Sequence, residues 1–136
     1  CDGQRPLRHF VDWFLRLTSF SMAVELTDVS DWNAAREASF EHPVLIYKHS
    51  ATCPTSAWAE RNVSNWHEEH PDWPVYQVTV QSARPVSDQI ADDLPLRHET
   101  PQAIVVHDGE AVAHLNHNHV SADRLTEAIR ALNLPA

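Results

Sequence analysis

From Met22 onward, apolar positions fall into two kinds of pattern. One is the short unbroken run. Val44, Leu45, Ile46 and Tyr47, following Pro43, read as a strand buried on both faces. Val75 to Val80 reads as a second strand, rich in β-branched residues. The other pattern is spacing by three and four. Trp32, Ala35, Ala38 and Phe40 put an apolar face on a helix over "DWNAAREASF", with Ser30 as its expected N-cap. Trp58, Ala59, Asn62, Val63 and Trp66 predict the inner stripe of a long helix after Cys53, stopped by Pro71 and Pro74. Val86, Ile90 and Leu94 predict a short helix starting at Pro85. The runs 103–107 and 110–114 flank Asp108-Gly109, a strong local hairpin signal. Ser121 is the expected cap of a closing helix with Leu125, Ile129 and Leu132 on its apolar side.

The predicted order is helix, strand, helix, strand, helix, strand, strand, helix. Two strands joined by a crossover helix make a right-handed parallel βαβ unit. The closing hairpin adds an antiparallel pair, and the last helix returns to cover a face. The expected fold is therefore α/β: a four-stranded mixed sheet flanked by helices on both faces, the thioredoxin-like architecture.

Composition bounds this picture. The chain has 136 residues, enough for one domain with a core of its own. The expected domain runs over 22–136, preceded by an extension over 1–21. The stretch "HFVDWFLRLTSF" is apolar, but Asp12 and Arg16 interrupt it and it is shorter than the roughly 20 residues of a membrane span. Three readings of the extension stand open. It precedes the natural start at Met22, it is an amphipathic helix, or Cys1 is a lipidated residue left by signal cleavage. The net charge of −9 argues against a nucleic-acid partner, for which basic patches dominate affinity. Cys1 and Cys53 are too few and too far apart for a disulfide-stapled secreted domain. A reducing, cytoplasmic setting with one functional thiol, no membrane contact and a monomeric state is the expectation.

The candidate chemistry sits in "KHSATCPTS", residues 48–56. Cys53 falls between the C-terminal end of the first buried strand and the first turn of the following helix. Ligands of open α/β sheets bind in the crevice beyond the carboxyl ends of their strands. Unpaired N–H groups and the positive end of the helix dipole both favour thiolate there. Pro54 gives up an N–H that had no helical partner anyway. Lys48 and His49 add positive potential or point away along the strand. The plainer reading is an inert core cysteine; the coincidence of strand end, helix start and proline outweighs it. Ser56 stands where a Cys-x-x-Cys oxidoreductase keeps its resolving thiol, so Cys53 acts through a mixed disulfide that an outside thiol must resolve. In "RHETPQAIVV", Pro101 opens the third strand opposite the active helix and suits a cis-proline loop. There Thr100 offers backbone groups to an extended substrate and Pro101 packs near the nucleophile. A trans strand-opening proline is the ordinary alternative.

Taken together, "KHSATCPTS", "RPVSDQIA" and "RHETPQAIVVHDG" resemble the monothiol bacilliredoxins, a thioredoxin-fold family of bacillithiol-using bacteria, over roughly 24–132. The resemblance implies removal of bacillithiol from mixed disulfides on proteins, with Cys53 as attacking thiol. No bound cofactor is implied; bacillithiol is the thiol co-substrate, and the partners are bacillithiolated client proteins. It also implies substrate contacts at Thr52, Pro54, Thr100 and Pro101. On this reading Arg84 and His98 hold the carboxylates of the low-molecular-weight thiol, because a guanidinium binds carboxylate in bidentate fashion. The plainer reading of Arg84 is a solvated residue at a helix start. In "AHLNHNHVS", His114 and His117 match the family's places, whereas Ala113 and Asn116 depart from it.

Three other readings remain. Cys53 suits a non-catalytic thiol sensor or adaptor as well as a catalyst. A monothiol glutaredoxin-like protein would use another low-molecular-weight thiol, such as glutathione. "HLNHNH" supplies three histidines, but at a strand end entering a turn they need not converge, and no metal site is assigned. The acidic groups in "HEEH" and "ADD" are read as solvated and given no chemistry.

Overall fold

A computed structural model describes residues 23–133; Cys1, the apolar stretch 9–20 and Met22 lie outside the described residues. The elements are β1 (Val24–Glu25), α1 (Val29–Ala38), β2 (Val44–His49), α2 (Pro54–Glu69), β3 (Val75–Thr79), α3 (Arg84–Asp93), β4 (Gln102–His107), β5 (Glu110–Asn116) and α4 (Ala122–Leu132), with a 3-10 turn at His117–His119 before α4. The sheet order is β1-β3-β2-β4-β5. β2 pairs in parallel with β3, Leu45 opposite Val75 through His49 opposite Thr79. On its other side β2 pairs antiparallel with β4, and β4 with β5.

The sheet has five strands, not the expected four. The addition is β1, which lies parallel to the outer edge of β3 with Val24 opposite Tyr76. Two exposed residues carry no periodicity of their own. Their strand character comes from the neighbour they pair with, so the pattern along the chain does not announce them.

β2 explains why its sequence is apolar without alternation. Val44 and Ile46 belong to one core cluster with Trp32 of α1, Val86 and Ile90 of α3, and Ile104. Leu45 and Tyr47 belong to a second cluster, with Ala59, Val63 and Trp66 of α2 and Leu125 of α4. Helices thus cover both faces, and a strand buried on both sides needs apolar residues at every position. Each face is built around one fully buried tryptophan, Trp32 or Trp66; truncating such a side chain costs roughly 3–5 kcal/mol.

The local signals differ from expectation at three places. The cap of α1 is Asp28, whose side chain accepts from the Ser30 amide, so Ser30 lies inside the helix. Phe40 is 55% exposed because α1 has already ended; its ring stands against Gly109 of the hairpin. Trp58 is 36% exposed, since the buried stripe of α2 runs through Ser56, Ala59, Val63, Trp66 and His67 instead. The hairpin turn and the last cap form as read: Asp108 and Gly109 take φ of 54° and 78°, as a type I′ turn needs, and Ser121 accepts from the Arg124 amide at 3.2 Å.

Candidate active site

The loop 50–52 carries the chain from the end of β2 into α2. Cys53 is the N-cap, in extended conformation (φ −107°, ψ 122°), and Pro54 occupies the first helical turn. An N-cap side chain faces the amides that have no helical acceptor. Here that side chain is a free, half-buried thiol. The Ser56 amide is its strongest donor, followed by the Thr55 amide and the hydroxyls of Ser56 and Thr55. These donors stabilise the anion and hold the Cys53 thiol below its ordinary pKa, against a smaller opposing effect of burial.

Ser56 is fully buried and fastened from two sides. Its hydroxyl accepts from the Ser50 amide at 3.2 Å, and its carbonyl accepts from the Tyr47 hydroxyl at 2.8 Å. Gln81, at the end of β3, braces the loop itself. Its Oε1 accepts from the Ala51 amide at 2.9 Å, and its Nε2 donates to Ser50 Oγ at 2.8 Å and Thr52 Oγ1 at 3.4 Å. The sequence reading missed Tyr47 and Gln81 as site-shaping residues. Tyr47 looked like core, and Gln81 is separated from its loop by some thirty positions.

Thr100 and Pro101 precede the β4 ladder, which begins at Gln102. The peptide bond between them is cis, Pro101 is buried, and its carbonyl accepts from the His117 amide at 2.7 Å. Thr52 and Pro54 are exposed beside Cys53. A shallow groove of about 490 Å³ lined by Pro54, Thr55, Trp58 and Asn118 continues along α2. A second depression, of about 400 Å³ beside β1 and β3, is lined by Glu25, Glu60, His67 and Gln77 but by no residue of the 50–54 segment.

Arg84 and His98 come together near the head of α3. Both are exposed, and the Arg84 charge is among the influences lowering the His98 pKa, after burial and Lys48. Lys48 is placed differently from either sequence alternative. It neither reaches Cys53 nor runs out along the strand: it is fully buried on the α3 side of the sheet. Its Nζ donates to the Ser87 carbonyl at 3.2 Å and lies 3.2 Å from His98 Nδ1. Burial pushes the Lys48 pKa down to about 8, with Asp88 acting in the opposite direction.

The remaining polar groups are engaged elsewhere. His117 Nε2 lies 2.9 Å from Glu99 Oε1, and no group of three or more His, Cys, Asp or Glu side chains among the described residues could hold a metal ion. Asp93, of the "ADD" segment, accepts from the Trp32 indole at 2.8 Å and so has a structural task. Among the described residues no helix is long and apolar enough to cross a membrane.

Comparison with known proteins agrees with this geometry. The family model described as monothiol bacilliredoxin BrxC matches residues 24–125. A solved thioredoxin-fold structure described as a candidate oxidoreductase is 32% identical with a TM-score of 0.73, over 79% of this chain and 93% of its own. Thioredoxin from Fasciola hepatica is 14% identical, with a TM-score of 0.67 over 79% of this chain and 97% of its own. Thioredoxin f2 from Chlamydomonas reinhardtii is 16% identical, with a TM-score of 0.67 over 85% of this chain and 100% of its own. The last two share the fold alone.

Proposed function

Because the chain belongs to the monothiol bacilliredoxin family, whose chemistry is thiol redox chemistry on a thioredoxin-like fold, we propose that it removes bacillithiol from mixed disulfides on client proteins. The observation that carries this reading is one free cysteine at the head of α2, its thiolate favoured by first-turn donors, with a buried serine where a resolving thiol would stand.

The Cys53 thiolate attacks the bacillithiol sulfur of a mixed disulfide. The S–S bond to the client breaks, the client leaves as a thiolate and takes up a proton, and a Cys53–bacillithiol disulfide forms. Ser56 cannot displace it, so a second bacillithiol thiolate attacks the bound bacillithiol sulfur. Oxidised bacillithiol leaves and the Cys53 thiolate is restored. One disulfide enters and one leaves: the client regains its thiol, the second bacillithiol gives up its own, and no outside oxidant or reductant is needed. Thr52 and Pro54 flank the entering sulfur, and the backbone at Thr100, next to Pro101, pairs with the extended client segment. Arg84 and His98 meet the carboxylates of bacillithiol, which serves as co-substrate with no bound cofactor. A reducing cytoplasm, with the protein acting as a monomer, suits this cycle.

The test is competitive trapping. Purified protein is exposed to oxidised bacillithiol, oxidised glutathione and cystine, and the adduct on Cys53 is identified by mass spectrometry. Bacillithiol is expected to be captured fastest, and excess bacillithiol to restore a bacillithiolated client over many turnovers. Faster capture of glutathione would move the assignment to a glutaredoxin-like protein. A single capping without turnover would make it a sensor.

A further inference from the structure

Thiol exchange at Cys53 makes no use of the buried Lys48. Lys48 is the single lysine of the chain, is 0% exposed, and lies in the central strand of the sheet. Side chains alternate along β2, so Tyr47 faces the α2 core and Lys48 faces α3. A buried ammonium pays a desolvation cost that an apolar side chain of similar volume would not. What Lys48 touches suggests what offsets that cost.

Nδ1 of His98 lies 3.2 Å from Lys48 Nζ and 3.2 Å from Ser87 Oγ. A hydroxyl can donate or accept and would suit either form of the ring. An ammonium has only donors. With both groups on the same nitrogen, Nδ1 must present its lone pair, and the ring proton must sit on Nε2. Among the described residues Nε2 makes no hydrogen bond, and the residue is exposed. Four charged groups act on this ring: Lys48 from β2, Arg84 and Asp88 from α3, and Glu99 from the chain beside it. Burial and the two cations outweigh the two carboxylates and favour the neutral ring.

We infer that Lys48 is a positioning residue for the thiol partner: its ammonium locks His98 in the Nε2–H tautomer, so that the ring offers one fixed donor to a carboxylate of that partner beside the Thr100–Pro101 bend. The carboxylate role rests on the function proposed above; the tautomer lock does not. A histidine free to flip its proton would present a lone pair to the carboxylate part of the time, and two acceptors repel.

The experiment is NMR of the full chain carrying ¹⁵N-labelled histidine, across a pH series, alongside steady-state kinetics. At pH 7 the wild type is expected to show His98 as one tautomer, with the proton on Nε2. The Nδ1–H form should grow in as pH passes the Lys48 titration near 8. Lys48→Met should give mixed tautomers already at pH 7, with KM for a bacillithiol mixed disulfide about three- to ten-fold higher, the loss of one hydrogen bond. Ser87→Ala keeps the ammonium and should keep the single tautomer. If Lys48→Met fails to fold, the wild-type series decides alone. A dominant Nδ1–H form or imidazolium in the wild type at pH 7 overturns the lock, as does an unchanged tautomer in Lys48→Met. A shifted tautomer with unchanged KM overturns the positioning role. Absence of any bacillithiol turnover in the wild type instead defeats the proposed function, and the tautomer signal still reports on the lock.

Discussion

Cys53 and Lys48 flank the same strand end, and both surrender a proton more readily than usual, for opposite reasons. At Cys53 the charged form is favoured: amides and hydroxyls of the first α2 turn donate to the sulfur. At Lys48 the charged form is penalised by burial. One site is half-exposed and made of donors within three residues of the thiol. The other is sealed and made of partners 39 and 50 positions away. A lowered pKa is therefore no description of a site by itself. The cause decides whether the group is ready to react or held in reserve to orient a neighbour.

The strongest way to break this contrast is to remove the sulfur. Cys53→Ser is expected to abolish turnover of a bacillithiolated client, leaving only the rate of bacillithiol alone. Residual protein-dependent turnover would transfer the chemistry to another group.

Next comes the energetic cost on the lysine side. The folded pKa of Lys48, about 8, lies below its unfolded value, so its contribution to stability is absent below pH 8 and grows until about pH 10.4. Wild type and Lys48→Met compared by urea unfolding at pH 7 and at pH 10.5 should show a relative gain for the wild type of roughly 3 kcal/mol. A difference independent of pH would mean that the fold leaves the Lys48 pKa at its unfolded value, so that burial does not penalise the ammonium.

Arg84→Ala sharpens the division of labour. Loss of one exposed charged contact, about 1 kcal/mol, should lower kcat/KM for bacillithiol mixed disulfides about five-fold. The rate at which iodoacetamide alkylates Cys53 should barely change. If both fall together, Arg84 supports the thiolate or the fold instead of the substrate.

The smallest effect belongs to Ser56→Ala. It removes one hydroxyl donor but leaves the Ser56 and Thr55 amides, so the Cys53 pKa should rise only part of the way to an ordinary thiol. The midpoint of the alkylation rate against pH should move upward accordingly. A downward or absent shift would mean that the hydroxyl serves only the Ser50 amide.

How much of this was legible in the chain follows the range of the interactions. Cys53, Pro54 and Ser56 form a helix start, and a helix start depends on residues a few positions apart, so its geometry can be read directly from "TCPTS". The same holds for the Asp108-Gly109 turn and the Ser121 cap. The misreadings at Phe40 and Trp58 are of another kind. Apolar spacing states which residues share a helix face, but not where the helix ends or which flank meets the sheet. Phe40 falls past the end of α1, and Trp58 sits one step off the buried stripe of α2.

By itself, then, the sequence determined a two-sided sheet with helices, and a cysteine at the head of the second helix with a serine in the place of a resolving thiol, because periodicity and capping are local properties of the chain. Only the tertiary structure decided that Lys48 is sealed beneath α3 rather than beside the thiol, that Gln81 braces the active loop, and that His98 meets an ammonium. Those contacts join segments distant along the chain, and strand pairing together with helix packing, not local pattern, sets which of them meet.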